Sequence, residues 1–242
     1  MTEALEAHLR RQIEHSSRFF WHRLRWRAIR PYLPESMPFD LVDVGAGAGL
    51  LGKFLERDRP KATYRFVEPI DSLRRFLRES YGDQADAGDE PDYGSAEFVA
   101  LLDVLEHQRD DKAFLAELVS KMSPGSTLLL TVPALASLWS RWDVALGHFR
   151  RYDKPSLSAV VEGLPLIVRE TSFLFPEMVP LGKLRTLKKR GDPADSAGED
   201  AEFPDLPGLA NDVLYGLGTV SLLFRRRWPI GTSLLMAATI EA

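Results

Sequence analysis

The sequence predicts an open α/β sheet with helices on both faces and a ligand held at the carboxyl end of its first strand. Three observations predict it. The stretch Leu41 to Leu50, LVDVGAGAGL, passes from a buried strand through a glycine turn into a helix. A second strand-like run, Thr63 to Val67, is closed by a single acid, Glu68. Five strands interleaved with helices are followed by two closing strands, the last being Ser233 to Ile240.

Leu41, Val42 and Val44 are apolar and mostly β-favouring, as in a strand buried on both faces. Gly45, Gly47 and Gly49 recur at every second position, where missing Cβ atoms allow positive φ and close approach of a ligand. Leu50, Leu51, Phe54 and Leu55 then follow at helical spacing. Strand, glycine turn and helix together form the device by which open α/β sheets hold a nucleotide. The next helix has Leu73, Phe76 and Leu77 on its apolar face, with Asp71 placed to cap it. From Tyr81 to Ser95 no convincing third strand appears. Phe98 to Leu102 is a buried strand ending at Asp103, and Leu128 to Val132 is another, ended by Pro133. Asp110 or Asp111 starts the helix between them. Pro155 to Glu162 reads as a short helix and Leu166 to Phe175 as a strand.

Asp43 directly before the glycines, Glu68 after the second strand, and LLDVLEH from Leu101 to His107 form a specific combination. With them the sequence resembles the class I S-adenosylmethionine-dependent methyltransferases. More narrowly it resembles a bacterial small-molecule group with DxGxGxG, DVLEH and GHxRRY elements, over roughly Trp21 to the end. The resemblance implies a Rossmann-like methyltransferase fold: a seven-stranded, mostly parallel sheet with an antiparallel last strand and helices on both faces. It implies S-adenosyl-L-methionine as cofactor, with Asp43, Gly45, Ala46, Gly47 and Gly49 at the glycine loop. Glu68 would hold the ribose hydroxyls, Pro69 would lie against the adenine, and Leu102 and Asp103 would line the methionine pocket. Asp86 falls where the family places an acid that bonds the adenine amino group, although by its surroundings it reads equally as a solvated loop carboxylate.

The segment after the Pro133 strand end carries the substrate chemistry. Trp139 and Trp142 lead into GHFRRYD, Gly147 to Asp153, on the functional edge of the sheet. His148 is the expected general base, with His107 second, because a histidine near its reference pKa takes a proton from a hydroxyl. Arg150 and Arg151 suit an anionic acceptor group, and Tyr152 suits orientation of substrate. Trp21 and Arg25 belong to an aromatic and arginine element that precedes the nucleotide fold in the same group. The expected reaction is methyl transfer to a small-molecule acceptor, a hydroxyl oxygen in the first instance. Two rivals stand beside it. One is a nicotinamide-dependent oxidoreductase, since Gly47, Gly49 and Gly52 spell GxGxxG. The other is a non-catalytic module that keeps the nucleotide fold.

Composition sets the remaining bounds. The chain has 242 residues and 45% hydrophobic residues, enough for one substantial core. A formal net charge of −4 gives no sign of a nucleic-acid binder. Cysteine is absent, which excludes thiolate metal sites. No metal is expected: His8, His15 and His22 recur every seven residues, about 10 Å apart along a helix, too far to share an ion. No signal peptide or membrane span is visible, so a cytoplasmic protein without stable membrane insertion is expected. Residues 1–38 read as an N-terminal helical cap, and 39–242 as the methyltransferase domain with a lid or insertion at about 176–230. Within it Gly191 to Asp205 is acidic and poor in apolar residues, so mobility is expected there. Val213 to Phe224 reads as a buried helix beneath that lid, with Gly216 and Gly218 suited to close packing.

Overall fold

The computed structural model describes residues 3–15, 18–188 and 206–241. The Gly191 to Asp205 stretch therefore lies outside the described residues. The chain opens with α1 (Glu3–His15) and α2 (Phe20–Ile29), and then alternates strand and helix. In order come β1 (Phe39–Val44), α3 (Leu50–Asp58), β2 (Ala62–Val67), α4 (Asp71–Tyr81), β3 (Phe98–Leu102), α5 (Asp111–Ser120) and β4 (Thr127–Pro133). The second half holds α6 (Arg141–Ala145), α7 (Lys154–Val161), β5 (Leu166–Leu174), α8 (Val179–Lys188), α9 (Gly208–Leu223) and β6 (Ser233–Ile240).

The strands form one sheet in the order β2-β1-β3-β4-β6-β5. β1 pairs in parallel with both β2 and β3, and β3 with β4. β6 inserts antiparallel between β4 and β5. The antiparallel ending matches expectation, but the sheet has six described strands rather than seven. The missing strand belongs to the weak stretch after α4, where the backbone makes only a single parallel bridge, Phe66 to Asp86. Gly82, Gly88, Pro91 and Gly94 leave too few strand-forming residues for a ladder there.

Two apolar layers sandwich the sheet. α5 and α7 supply Leu115, Leu118, Leu157 and Val160 to one face. α2, α3 and α9 cover the other, through Leu24, Trp26, Leu51, Phe54 and Leu214. β1 contributes Val42 and Val44 to the first layer and Leu41 to the second, as a strand buried on both faces must. The chain reverses direction of winding at β1, with β2 on one side and β3 on the other. Their carboxyl ends therefore open a crevice, where ligands bind in such sheets.

Asp71 lies in the first turn of α4 and does not cap it by a side-chain bond; Asp110 does cap α5, accepting from the Ala113 N–H at 2.9 Å. α9 is buried on one face only. That face packs on α2: Asn211 accepts from the Phe20 N–H at 2.8 Å and donates to the Arg18 carbonyl at 3.0 Å. The Arg23 guanidinium lies 3.5 Å over the Tyr215 ring. The opposite face, with Leu209, Val213, Leu217, Val220 and Leu223, is exposed, which corrects the expectation of a fully buried helix. Gly218 makes the close approach, whereas a Cβ on Gly216 would meet nothing within 4 Å.

A Cβ on Gly218 would stand 2.1 Å from Leu24 Cδ1, and Leu24 is itself fully buried. Gly218→Val is expected to overpack this contact and lower stability by about 1–3 kcal/mol, read as a lower denaturant midpoint. An unchanged midpoint would show that α9 does not depend on α2.

Candidate active site

The glycine loop leaves β1 in left-handed backbone. Gly45, Gly47 and Gly49 have φ of 70°, 56° and 68°, values that any Cβ would strain. Their surroundings also leave no space for one. A Cβ on Gly45 would lie 2.8 Å from Val104 Cγ2, one on Gly49 2.5 Å from Leu77, and one on Gly47 3.1 Å from Leu9 of α1. The loop is tied to the end of β2, because the Gly45 and Ala46 N–H groups donate to the Val67 carbonyl at 2.8 and 3.2 Å. Glu68 completes the tie. One of its carboxylate oxygens accepts from the Gly47 N–H at 2.7 Å and the other from the Ile70 N–H at 2.8 Å. Burial raises the Glu68 pKa, and these two backbone bonds oppose the rise.

Asp43, at the end of β1, is buried and accepts from the Tyr64 hydroxyl at 3.0 Å. Burial pushes its pKa up to about 7, with the Glu68 charge adding to the rise. At the end of β3, Asp103 has φ of 60° and forms an ion pair with Arg25 of α2. Thr131 donates to its other oxygen at 3.1 Å. One N-terminal helix is thereby fixed to the carboxyl edge of the sheet.

These groups face a cavity of about 1140 Å³. Its lining includes Gly45, Gly47, Glu68, Asp103, His107 and His148, together with Trp21, Arg25, Trp142 and Arg151. Trp21 stacks on Phe175 with ring centroids 3.8 Å apart. The far wall is made by the 141–152 segment. His148 Nδ1 lies 3.0 Å from Asp143 Oδ1, so the imidazole donates from Nδ1 and keeps the lone pair of Nε2. Asp143 has no exposed surface. It also accepts from Arg151 Nε at 2.7 Å and from the Ser140 N–H at 2.8 Å. Although burial opposes it, the His148 and Arg151 bonds hold the Asp143 pKa below the usual carboxylate value. The His107 ring packs edge-on against His148, with centroids 4.8 Å apart. Burial, then the His148 charge, pushes its pKa down to about 4.

Several expected residues are placed elsewhere. Asp86 is held by Arg74 at 2.6 Å and Arg78 at 2.5 Å and does not line the cavity. Although burial opposes it, these ion pairs push its pKa down to about 2. Arg150 pairs with Asp111 at 2.6 Å, and the Tyr152 hydroxyl donates to the same carboxylate at 2.7 Å. Both therefore brace the start of α5 against the loop before α7 rather than face the cavity. Trp139 also lies off the cavity lining, which Leu138 occupies. Conversely, two residues without an expected role sit at the wall. Asp143 orients His148; the pattern Ser140-x-x-Asp143, a capping box at the start of α6, was its sequence signal. Glu106 has no exposed surface and no hydrogen-bond partner on either oxygen. Burial, then the Asp103 charge, raises it well above the usual carboxylate range.

The fold and the crevice define an S-adenosylmethionine-dependent methyltransferase of class I. The chain belongs to the methyltransferase domain family, whose model matches residues 8–166. Solved structures agree in fold. A chain of the complex between the Haloferax volcanii Trm112 methyltransferase activator and a methyltransferase is 19% identical, with TM-score 0.63, over 100% of this chain and 97% of that one. A SAM-dependent methyltransferase from Archaeoglobus fulgidus is 18% identical, with TM-score 0.53, over 90% and 94%. Haemonchus contortus phosphoethanolamine N-methyltransferase 2, in complex with S-adenosyl-L-methionine, is 13% identical, with TM-score 0.55, over 97% and 60%. No curated protein matches the chain. Among the described residues no helix is long and apolar enough to cross a membrane.

S-Adenosylmethionine is the cofactor, and the residues present fit it. The cavity is large, its floor is a loop with three glycines in left-handed backbone, and Glu68 keeps lone pairs beyond the two already bonded.

The raised Asp43 pKa has a consequence for stability. Folded Asp43 holds its proton to about pH 7, whereas the free carboxyl releases it near 3.8. Its stabilisation is complete below about pH 4 and is lost as pH rises through about 7. Asp43→Asn, which can still accept from Tyr64, is expected to match the parent at pH 4 and to exceed it at pH 8 by on the order of 1–3 kcal/mol. Denaturant midpoints at the two pH values check this; equal midpoints at pH 8 would mean the carboxylate is not destabilised.

Proposed function

We propose that this protein transfers a methyl group from S-adenosylmethionine to a hydroxyl oxygen of a small-molecule acceptor, with His148 as the general base. The observation that carries the reading is the Asp143–His148 pair at the cavity wall. A buried carboxylate fixes the Nδ1–H tautomer and leaves Nε2 as an acceptor, the arrangement that makes an imidazole a base.

S-Adenosylmethionine supplies an electrophilic methyl group on a sulfonium sulfur, and S-adenosylhomocysteine is left after transfer. Gly45, Ala46 and Gly47 would admit it against the backbone. Glu68 would accept from the ribose hydroxyls with its remaining lone pairs, and Pro69 would lie against the adenine. Leu102 and Asp103 would line the methionine end. His148 Nε2 takes the acceptor's proton as the oxygen becomes the nucleophile. Burial keeps neighbouring His107 uncharged at neutral pH, so it does not compete for protons, and it serves as an acceptor contact. Arg151, locked on Asp143 and the Ala134 carbonyl, holds the dyad in place. The enzyme's larger contribution is alignment of nucleophile, carbon and sulfur within a walled cavity. Among the described residues, α1 and α2 would form its cap over the glycine loop, and α8 and α9 would supply the remaining cover.

Calorimetric titration with S-adenosylhomocysteine, with NAD as the control, tests the cofactor site. Binding of the first alone is expected, and Glu68→Ala should weaken it at least about tenfold. With an acceptor found by screening hydroxylated compounds, His148→Ala should lower kcat by about 10²–10⁴ and leave that affinity unchanged. A parent-like rate in His148→Ala would remove it from the mechanism.

A further inference from the structure

We infer that Glu106, His107 and His148 form a binding site for one divalent transition-metal ion of the zinc class. One ligand atom from each residue can be chosen so that all three lie within 4.8 Å of one another. Ligand atoms around a tetrahedral zinc, with bonds of about 2.0–2.2 Å, stand about 3.4 Å apart. Side-chain rotations that draw the three atoms together by up to about 1.4 Å would close them around one ion.

The state of Glu106 is the independent observation. It has no exposed surface, and neither carboxylate oxygen has a partner. Among the described residues it is the one carboxylate buried with both oxygens unanswered. The nearby cations pair with other acids: Arg25 with Asp103 through Nη2, its Nε having no partner, and Arg151 with Asp143. A buried acid without a donor is costly, and a cation in the cavity would remove the cost.

The two imidazoles are already arranged as ligands. His148 Nδ1 donates to Asp143, so this ring keeps its Nε2 lone pair with the opposite N–H held by an outer carboxylate, as metal-binding histidines are held. The His107 ring packs edge-on against it, with centroids 4.8 Å apart. The two loops that carry the ligands are tied together by the backbone, the Phe149 N–H donating to the Glu106 carbonyl at 2.8 Å. Two imidazoles and one carboxylate suit zinc, cobalt or nickel rather than magnesium or calcium, which prefer oxygen alone. Three protein ligands leave coordination positions open to the cavity.

The sequence shows no metal-ligand spacing for this site, because His107 and His148 lie on separate loops. The site also bears on the proposed reaction, and this part rests on that reading. The ion takes the His148 Nε2 lone pair, so His148 is a base only in the ion-free chain.

The test is calorimetric titration of the chelator-stripped full chain with zinc, with the visible spectrum of added cobalt(II) as a second readout. One ion per chain and the bands of low-coordinate cobalt are expected. Glu106→Gln and His107→Ala should each weaken binding at least about tenfold, and Asp143→Asn, through His148, about 10–100-fold. Circular dichroism shows that each variant is folded, and two separate ligand variants guard against the failure of either. No binding of zinc or cobalt, or equal affinity in the folded Glu106→Gln and His107→Ala chains, would overturn the site. Titration with S-adenosylhomocysteine separates this from the methyltransferase reading, because neither the glycine loop nor Glu68 is a ligand. Loss of nucleotide binding with zinc binding intact would sink that reading and leave the metal site standing.

Discussion

The site depends on one buried carboxylate, Glu68, that bridges two loops. Three glycines in left-handed backbone have little to hold them in that shape, since glycine loses more freedom on ordering than any other residue. Glu68 supplies what holds them. It takes the Gly47 N–H from the loop after β1 and the Ile70 N–H from the loop after β2. The Tyr81 hydroxyl adds a bond to the Gly49 carbonyl at 2.7 Å from α4. With the turn fixed, α3 starts at Gly49 and packs closely on the sheet, where Gly52 leaves room for Tyr64 and Tyr81. The same Tyr64 satisfies Asp43. The cofactor crevice and the packing of α3 and α4 are therefore one structure, set by the same few bonds.

Around this frame each acid is given a different electrostatic state by its neighbours. Asp86 is fully answered by two arginines and stays ionised. Asp143 is answered by Arg151 and His148 and orients the imidazole. Asp103 is answered by Arg25 across the cavity edge. Asp43 has only a neutral hydroxyl, and Glu106 has nothing. The order of these partners, rather than the number of acids, separates structural carboxylates from those left with unspent binding capacity.

The sequence made the sheet's centre and the glycine turn legible because both are local. β1, the turn and α3 are consecutive, and their apolar periodicity follows directly from burial on two faces. The antiparallel ending is not local, since β6 pairs with β4 and β5 far from it in sequence, and it was legible only through the resemblance to the methyltransferases. What was not legible depended on tertiary placement. Asp86 has the spacing of an adenine contact, but Arg74 and Arg78, one turn apart on α4, reach it from the side. In GHFRRYD, His148 and Arg151 meet on Asp143, while Arg150 and Tyr152 turn away to Asp111. No periodicity in a loop announces that division. Nothing in the sequence marks Glu106 within DVLEH, and the buried acid appears only where the Phe149 N–H docks on its carbonyl.

The cap follows from the same constraint. Gly47 lacks a Cβ, and Leu9 of α1 occupies the space beside it. Glu6 of α1 accepts from Ser72 at the start of α4, and the His8 ring meets Trp142 edge-on at 5.0 Å. α1 thus touches the glycine loop, the start of α4 and the 141–152 wall at once. α2 is fixed far more deeply, by Arg25 on Asp103, by Trp26 donating to Asp58 at 2.5 Å, and by its packing on α9. Moving α2 would break a largely buried ion pair. α1 is held by side-chain contacts along one face. The glycine loop therefore sets both the shape of the cofactor floor and the seat of the first helix above it.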